Sequence, residues 1–242
     1  PAFNLAAGAG FPSNCHEKGL ILKAIIPAKD SSKRLPNKNF LEFYDGKSLV
    51  DITVEKLLRF LDPSDIYISC ENPEREEVAL KWGVNFLLRD QVLADNDTNF
   101  YHVFNGVCGQ ISGDDDIAWC GVTDPLFDDH EQCFKKWDDR DLSKDNDSLV
   151  AIYPFKDYIL DSTYEPVGFK FGRWHLPSQK INEMYRMTFV LSILTRSSIK
   201  ECGYWIGTNP IWHYANNHSS DIDTKKDFRF AQHLYAHYVE KK

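Results

Sequence analysis

The chain has 242 residues, of which 43% are hydrophobic, 14% aromatic and 26% charged. This composition is typical of a globular protein and excludes the disordered, collagen-like and coiled-coil classes. The formal net charge of −8 argues against binding to nucleic acid, which needs a basic face, and no apolar run approaches the roughly 18 residues of a membrane-spanning helix.

The six cysteines include no C-x-x-C pair, and several lie in apolar runs. Such thiols behave as small hydrophobic groups, which predicts a cytoplasmic, reducing location rather than a disulfide framework. Residues 1–19 lack the basic start and long apolar stretch of a signal peptide and are predicted to be a flexible leader. Residues 20–242 are predicted to form a single domain.

Apolar runs alternate with segments of helical periodicity along the chain. Strands are predicted over 20–26, 65–70, 84–88, 117–122, 149–153, 187–194 and 211–214. Helices are predicted over 47–61, 73–82, 99–111 and 130–137, as a short segment after 194, and over 224–238, where Thr224 and Asp227 form a capping-box pattern. This order predicts an α/β fold, a mostly parallel sheet flanked by helices on both faces.

Residues 154–186 lose this periodicity. They contain Pro154, Pro166 and Pro177 among many aromatic residues. Long irregular stretches in a compact domain are often functional. We therefore predict a small excursion from the main fold here.

A basic loop at 27–39 follows the first predicted strand. It places Lys29, Lys33, Arg34 and Lys38 among small residues whose backbone N–H groups could approach an anion. Open parallel sheets bind ligands at the carboxyl ends of their strands, so this loop predicts a phosphate site. The alternative is a solvated basic turn. The loop is neither a Walker A nor a G-x-G-x-x-G motif, which removes the main support for P-loop hydrolysis and dinucleotide binding.

Two carboxylates, Asp221 and Asp223, lie at i and i+2 just before the last predicted helix. In extended backbone their side chains point to the same face and could share one Mg²⁺, which prefers oxygen ligands. The alternative is that Asp223 caps the helix and Asp221 is solvated. The histidines form no recognisable catalytic constellation.

Several motifs resemble, in order, those of the acylneuraminate (CMP-sialic acid synthetase) and Kdo-type cytidylyltransferase family. The segment Ile-Pro-Ala-Lys-x-x-Ser-Lys-x-x-Pro-x-Lys-Asn at 26–39 resembles the signature loop of that family. Residues 88–98 resemble its R-P-x-x-L-A-x-D-T segment with one extra residue. Residues 123–126 resemble its T-S-P-L turn, and residues 221–227 match its closing D-I-D motif.

The resemblance implies a nucleotide-diphospho-sugar transferase fold in a homodimer that couples CTP to an acidic sugar, releases pyrophosphate and uses Mg²⁺. The residues that it implies for the nucleotide are Ala28, Lys29, Ser32, Lys33, Lys38, Asn39 and Arg89. Asp221 and Asp223 would hold the metal, and the catalytic set would be Lys29, Lys33, Asp221 and Asp223. No nucleic acid or membrane partner is implied.

The departures from the family pattern fall mainly on the acceptor side. Lys29 replaces a loop arginine and Asp30 adds a carboxylate, but the rest of the nucleotide half is kept. The expected acceptor-side residues are replaced at Gly121-Val122, at Ser178 and at Thr188-Phe189. We therefore predict an acceptor other than ordinary sialic acid. The options are a sialic-acid-like or Kdo-like sugar, or a phosphonate or other small anion; a non-catalytic nucleotide-binding homologue is the further alternative.

An acidic acceptor needs a positive partner, because an unpaired carboxylate is costly to desolvate. The predicted acceptor-binding residues all lie near the excursion, and for each cation the alternative is a solvated surface charge. They are Gln179, Arg173, Lys180 and Arg186.

Overall fold

The computed structural model describes residues 22–95, 97–216 and 219–240. The predicted leader, the first two residues of the predicted first strand and Asn96 lie outside the described residues. The strands are β1 (Leu22–Pro27), β2 (Ile66–Cys70), β3 (Asn85–Leu88), β4 (Asp116–Cys120), β5 (Ser148–Phe155), β6 (Ile159–Leu160), β7 (Pro166–Val167), β8 (Met184–Arg186), β9 (Leu191–Leu194) and β10 (Pro210–Tyr214). The helices are α1 (Leu49–Leu57), α2 (Glu76–Trp82), α3 (Phe100–Cys108), α4 (His130–Asp138), α5 (Arg196–Cys202) and α6 (Lys225–Val239).

The main sheet has the strand order β10-β5-β9-β4-β1-β2-β3, with β8 paired to β5. The β1–β2, β1–β4, β2–β3 and β5–β10 pairs are parallel, whereas β9 is antiparallel to both β4 and β5. The predicted mostly parallel α/β sheet is therefore confirmed.

Helices cover both faces of this sheet. On one face α1, α4 and α6 pack against alternate strand residues such as Ala24 and Ile26. On the other face α3 and α5 pack against the intervening residues, such as Ile25 and Ile117. Because successive strand residues point to opposite faces, the apolar residues of β1 supply both cores.

The predicted strand over 187–194 is wrong in its first half. Residues 187–190 leave the sheet between β8 and β9, and Phe189 takes a left-handed conformation with φ of 57°. The Gly121 backbone N–H donates to the Val190 carbonyl at 2.8 Å, and a Cβ on Gly121 would lie 2.7 Å from the Phe189 carbonyl oxygen. Only glycine permits this close approach, which places Thr188 and Phe189 beside the end of β4.

Helix starts follow the capping chemistry of the sequence. Ser48 caps α1 with Asp51, Asn99 caps α3, and Thr224 caps α6 in the predicted capping box with Asp227. The helices predicted over 47–61 and 99–111 are shorter at both ends than predicted. Within the described ranges, no helix is both long and apolar enough to span a membrane.

The predicted excursion at 154–186 contains the β6–β7 hairpin and short 3₁₀ turns beside the main sheet. It exposes several large apolar side chains, including Tyr164, Phe171 and Trp174. Four of the cysteines, Cys70, Cys108, Cys120 and Cys133, are buried free thiols as predicted, whereas Cys15 lies outside the described residues.

Candidate active site

A cleft of about 610 Å³ opens at the carboxyl ends of β1 and β4. It brings together the basic loop after β1, the turn after β4, the 188–189 segment and the carboxylates before α6. Its described lining residues are Pro27, Lys29, Ser32, Lys33, Arg34, Lys38, Asn39, Trp119, Gly121, Val122, Thr123, Thr188, Phe189, Trp205, Asp221 and Asp223.

The basic loop is closed on itself and tied to the carboxylate segment. The Asn39 side-chain amide donates to the Lys29 carbonyl at 2.9 Å, which joins the two ends of the loop. The buried Lys38 ammonium donates to the Ile222 carbonyl, between the two carboxylates. Burial lowers the pKa of Lys38, and the negative charge of Asp223 opposes that shift. Lys38 therefore holds the two halves of the site together.

The expectation that backbone N–H groups of the loop are available to a bound phosphate is wrong for two residues. The N–H groups of Asp30 and Ser31 both donate to the Glu71 carboxylate. In the part of the loop that faces the cleft, the positive charges are the side chains of Lys29, Lys33, Arg34 and Lys38. Burial lowers the pKa of Lys29, and the carboxylate of Glu71 opposes that shift.

The turn after β4 positions the carboxylate segment. The Thr123 carbonyl accepts from the Ile222 N–H at 2.9 Å, and the Asp124 carboxylate accepts from the N–H and the hydroxyl of Ser220. Partial desolvation at the cleft wall, with the nearby charges of Asp223 and Asp124, raises the pKa of Asp221 although the residue is exposed. These contacts direct Asp221 and Asp223 into one cleft, as their i, i+2 spacing predicts.

The alternative that Asp223 caps the last helix is wrong, because Thr224 is the N-cap. The Asp223 carboxylate instead forms an ion pair with the Arg34 guanidinium, with Oδ1 and Nη2 2.7 Å apart, and the same Oδ1 lies 3.7 Å from the Lys38 ammonium. The other half of that alternative agrees with the structure, since Asp221 is exposed.

A magnesium ion fits this donor set. Asp221 and Asp223 supply carboxylate oxygens at the cleft wall, next to cations that could hold phosphates. Across the described ranges, no group of three or more His, Cys, Asp or Glu side chains could form a metal site. A site with two carboxylates suits Mg²⁺, which commonly completes its octahedron with water and substrate phosphates.

Two of the predicted nucleotide residues do not line the cleft. Ala28 is fully buried and its N–H donates to the Ser69 carbonyl within the sheet. Arg89 is buried behind the loop, where its guanidinium lies 3.4 Å from the Glu71 carboxylate. The other five predicted nucleotide residues line it: Lys29, Ser32, Lys33, Lys38 and Asn39.

The four predicted acceptor residues also lie outside the described lining of the cleft. They are exposed, and two of the cations lie over aromatic rings: the Arg173 guanidinium over Trp174 at 4.2 Å and that of Arg186 over Phe155 at 5.7 Å. Lys180 instead lines a separate cavity of about 380 Å³ within the excursion.

The cleft wall formed by Gly121, Thr188, Phe189 and Trp205 is mostly neutral and aromatic. Phe189 stacks on Trp205 with ring centroids 3.4 Å apart, and Trp205 stacks on Phe100 behind it. The sequence marked Thr188, Phe189 and Gly121 as departures, but it gave no signal for Trp205, which lies in a loop without periodicity. Glu71 was also missed, although a carboxylate at the end of a buried strand next to β1 could have indicated it.

Residues 23–124 match the family model described as "Cytidylyltransferase". The chain is 23% identical over 236 residues to the N-acylneuraminate cytidylyltransferase of Streptococcus agalactiae, covering 89% of this chain and 54% of that protein. It is 25% identical over 222 residues to the pseudaminic acid cytidylyltransferase of Campylobacter jejuni, covering 87% and 94%. The chain thus spans about half the length of the N-acylneuraminate cytidylyltransferase and nearly all of the pseudaminic acid cytidylyltransferase.

Solved structures share the fold. CMP-2-keto-3-deoxy-manno-octonic acid synthetase, solved with CTP, aligns with a TM-score of 0.59 and 13% identity, covering 90% of this chain and 99% of that one. 4-Diphosphocytidyl-2C-methyl-D-erythritol synthase from Anaerococcus prevotii aligns with a TM-score of 0.58 and 11% identity, covering 90% and 97%. The chain thus resembles the N-acylneuraminate and pseudaminic acid cytidylyltransferases in sequence and the Kdo synthetase in fold. These similarities indicate a nucleotidyltransferase enzyme, and the resemblance predicted from its motifs is confirmed.

Proposed function

We propose that this chain is a Mg²⁺-dependent cytidylyltransferase that joins CMP from CTP to an acidic sugar and releases pyrophosphate. The observation that carries the proposal is the single cleft in which a basic loop faces a pair of carboxylates. Lysine and arginine side chains suit a triphosphate, and the carboxylates suit the metal that accompanies it. The names of the relatives support CTP as the nucleotide.

The cations of the loop have a defined part in this reaction. An acceptor oxygen attacks the α-phosphorus of CTP, its proton leaves to solvent, and the bond between the α-phosphorus and the bridging oxygen breaks to release pyrophosphate. Negative charge grows on the leaving pyrophosphate, and Lys29, Lys33 and Arg34 would offset it. The reaction requires no covalent nucleophile on the protein.

Asp221 and Asp223 would hold the metal. When bound, Mg²⁺ would supply Lewis-acid stabilisation of the phosphate oxygens. The Arg34 side chain is 66% exposed and that of Asp223 43% exposed, and exposed ion pairs of this kind are weak. The Arg34–Asp223 pair would therefore exchange at low cost, leaving Asp223 for the metal and Arg34 for the triphosphate.

The acceptor class rests on the other half of the cleft. We propose an acidic sugar related to sialic, pseudaminic or Kdo sugars, held against the wall formed by Gly121, Thr188, Phe189 and Trp205. A phosphonate or other small anion is the second candidate, because Gly121, Thr188 and Phe189 depart from the family pattern.

A homodimer would bring the excursion to this cleft. Arg173, Lys180 and Arg186 lie outside the described cleft lining of their own chain, and in a homodimer they would meet the acceptor from the second copy. The exposed apolar side chains of the excursion suit such an interface. Sedimentation of the protein should give a dimer, and a monomer active with the true acceptor would contradict this part of the proposal. The buried free thiols support a cytoplasmic location.

Pyrophosphate release from CTP tests the proposal. The assay uses Mg²⁺ and a panel of sialic, pseudaminic and Kdo sugars with small phosphonates. We expect release with one acidic acceptor and with CTP in preference to the other nucleoside triphosphates. A protein that binds CTP but turns over with no acceptor would favour the non-catalytic alternative, and one that does not bind CTP would overturn the proposal.

A further inference from the structure

Glu71, at the carboxyl end of β2, accepts three hydrogen bonds from the basic loop. Its Oε1 accepts from the Asp30 N–H at 3.0 Å, the Ser31 N–H at 2.8 Å and the Ser31 hydroxyl at 2.7 Å. The side chain is only 3% exposed. Burial alone would raise the pKa of Glu71, but these bonds and the charge of Arg89 outweigh it and hold that pKa below its ordinary value. Glu71 is therefore a buried carboxylate fixed by the loop.

Arg89, which follows β3, contacts the second carboxylate oxygen of Glu71. Its Nη2 lies 3.4 Å from Glu71 Oε2 and donates to the Ser69 carbonyl at 3.5 Å. A buried guanidinium is costly unless it is paired, and Glu71 is its carboxylate partner. The two side chains therefore depend on each other.

Asp30 anchors the same stretch of loop from its other side. Its Oδ1 accepts from Arg75 Nε at 2.9 Å and forms an ion pair with Arg75 Nη2 at 2.9 Å, and its Oδ2 accepts from the Asn72 amide at 2.9 Å. The chain at 30–31 is thus fixed to the segment 71–75 that follows β2. The next residues, Ser32 and Lys33, line the cleft.

We propose that Glu71 is the positioning residue of the nucleotide-binding loop, and that Arg89 acts through Glu71 instead of contacting the nucleotide. The inference rests on the proposed CTP site. A loop that is already held in its binding conformation loses less entropy when the ligand binds. The Glu71–Arg89 pair, called the clamp below, therefore contributes to affinity without touching the ligand. Removing the clamp would leave two loop N–H groups and the Arg89 charge without their partner.

The first test measures CTP affinity by calorimetry with Mg²⁺ and no acceptor. Glu71→Ala should weaken binding by about tenfold or more, because charge-assisted hydrogen bonds that fix the loop are lost. Glu71→Gln keeps an oxygen for the loop but loses the ion pair, so its loss should be smaller. The Gln variant also keeps the test valid if the Ala variant fails to fold.

Asp116→Ala is the matched control. Asp116 is a partly buried carboxylate 3.2 Å from the Arg140 guanidinium, but it begins β4, at the end of the strand away from the cleft. This variant should lose stability and keep the parental CTP affinity. If both Ala variants weakened CTP binding equally, Glu71 would have only a general structural role and the proposal would be overturned.

The second test combines Arg89→Met with Glu71→Gln. If Arg89 acts through Glu71, the CTP affinity of the double variant should be about equal to that of whichever single variant binds CTP less tightly. If Arg89 touches the nucleotide directly, the two losses should multiply, which would overturn that part of the proposal.

The third test needs no nucleotide. Amide hydrogen exchange at Asp30 and Ser31 should be faster in Glu71→Ala than in the parent and unchanged in Asp116→Ala; unchanged exchange in Glu71→Ala would overturn the clamp. A parent that fails to bind CTP would overturn the proposed function instead, and the exchange result would still decide whether Glu71 holds the loop.

Discussion

Asp30 is a carboxylate within the basic loop, and its contacts decide how it affects a bound nucleotide. As an added negative charge it would repel a triphosphate and favour the non-catalytic alternative. The structure directs it away from the cleft, into bonds with Arg75 and Asn72. Its charge is neutralised locally, so this departure no longer argues against nucleotide binding.

Lys33 is the residue on which triphosphate affinity can be tested most simply, because it is exposed and lines the cleft. Lys33→Ala should weaken CTP binding by roughly tenfold, since one charge-assisted contact to phosphate is lost. Lys144→Ala is the control: Lys144 is an exposed lysine whose ion-pair partner is Asp141 at 3.9 Å, outside the cleft. Calorimetry at constant salt compares them, and equal losses would indicate a diffuse basic surface instead of a defined site.

His130 gives a pH dependence of stability that is independent of the site. It is 3% exposed, and burial lowers its pKa from 6.5 to about 3. Between these values the unfolded chain binds a proton that the folded chain does not, so stability is lost as pH falls below about 6.5. At pH 5 this single group should cost on the order of 2 kcal/mol.

Urea unfolding at pH 7 and pH 5 measures that cost. His130→Gln cannot titrate and should lose less stability than the parent between the two values. Equal losses in both proteins would show that His130 is protonated without penalty.

In the segment that leads into α6, the predicted metal ligand and the helix cap are different residues. Asp223 pairs with Arg34 and Lys38, whereas the Asp227 carboxylate accepts from the Thr224 N–H at 2.8 Å in the capping box. Asp223→Asn should reduce pyrophosphate release by orders of magnitude and raise the Mg²⁺ requirement, because a hard cation prefers a carboxylate over an amide. Its unfolding temperature should stay close to that of the parent.

Asp227→Asn should show the opposite pattern. It weakens the cap, so it should cost about 1 kcal/mol of stability and leave turnover near the parental value. Normal activity in Asp223→Asn would contradict the metal assignment.

The elements that periodicity defines could be predicted from the sequence, and those set by tertiary contacts could not. The apolar run of β1 and the Thr224–Asp227 pattern are local, so they predicted a strand and a helix start correctly. The break before β9 depends on Gly121 packing against the Phe189 backbone, and these residues are far apart in sequence. The contacts of Arg89 likewise depend on Glu71, which is 18 residues away in sequence. The motif that contains Arg89 therefore identified the residue but did not predict its partner.

At the scale of the whole molecule, net charge and local charge have opposite signs. The chain carries −8 overall, yet the described lining of the cleft gathers Lys29, Lys33, Arg34 and Lys38 against Asp221 and Asp223. An acidic surface disfavours nonspecific binding of nucleic acid, while the local excess of cations provides one site for a triphosphate. The sheet topology gathers these charges in one cleft, because β1 and β4 are adjacent parallel strands and their carboxyl ends lie side by side.

The most direct measurement of the proposed chemistry follows labelled phosphorus from CTP. CTP labelled at the α-phosphorus is incubated with Mg²⁺ and the acceptor that releases pyrophosphate, beside a parallel reaction with CTP labelled at the γ-phosphorus. We expect the α label in the CMP–acceptor conjugate and the γ label in pyrophosphate alone, with neither transfer in Asp223→Asn. A γ label on the acceptor, or an α label recovered only as free CMP, would contradict nucleotidyl transfer by this cleft.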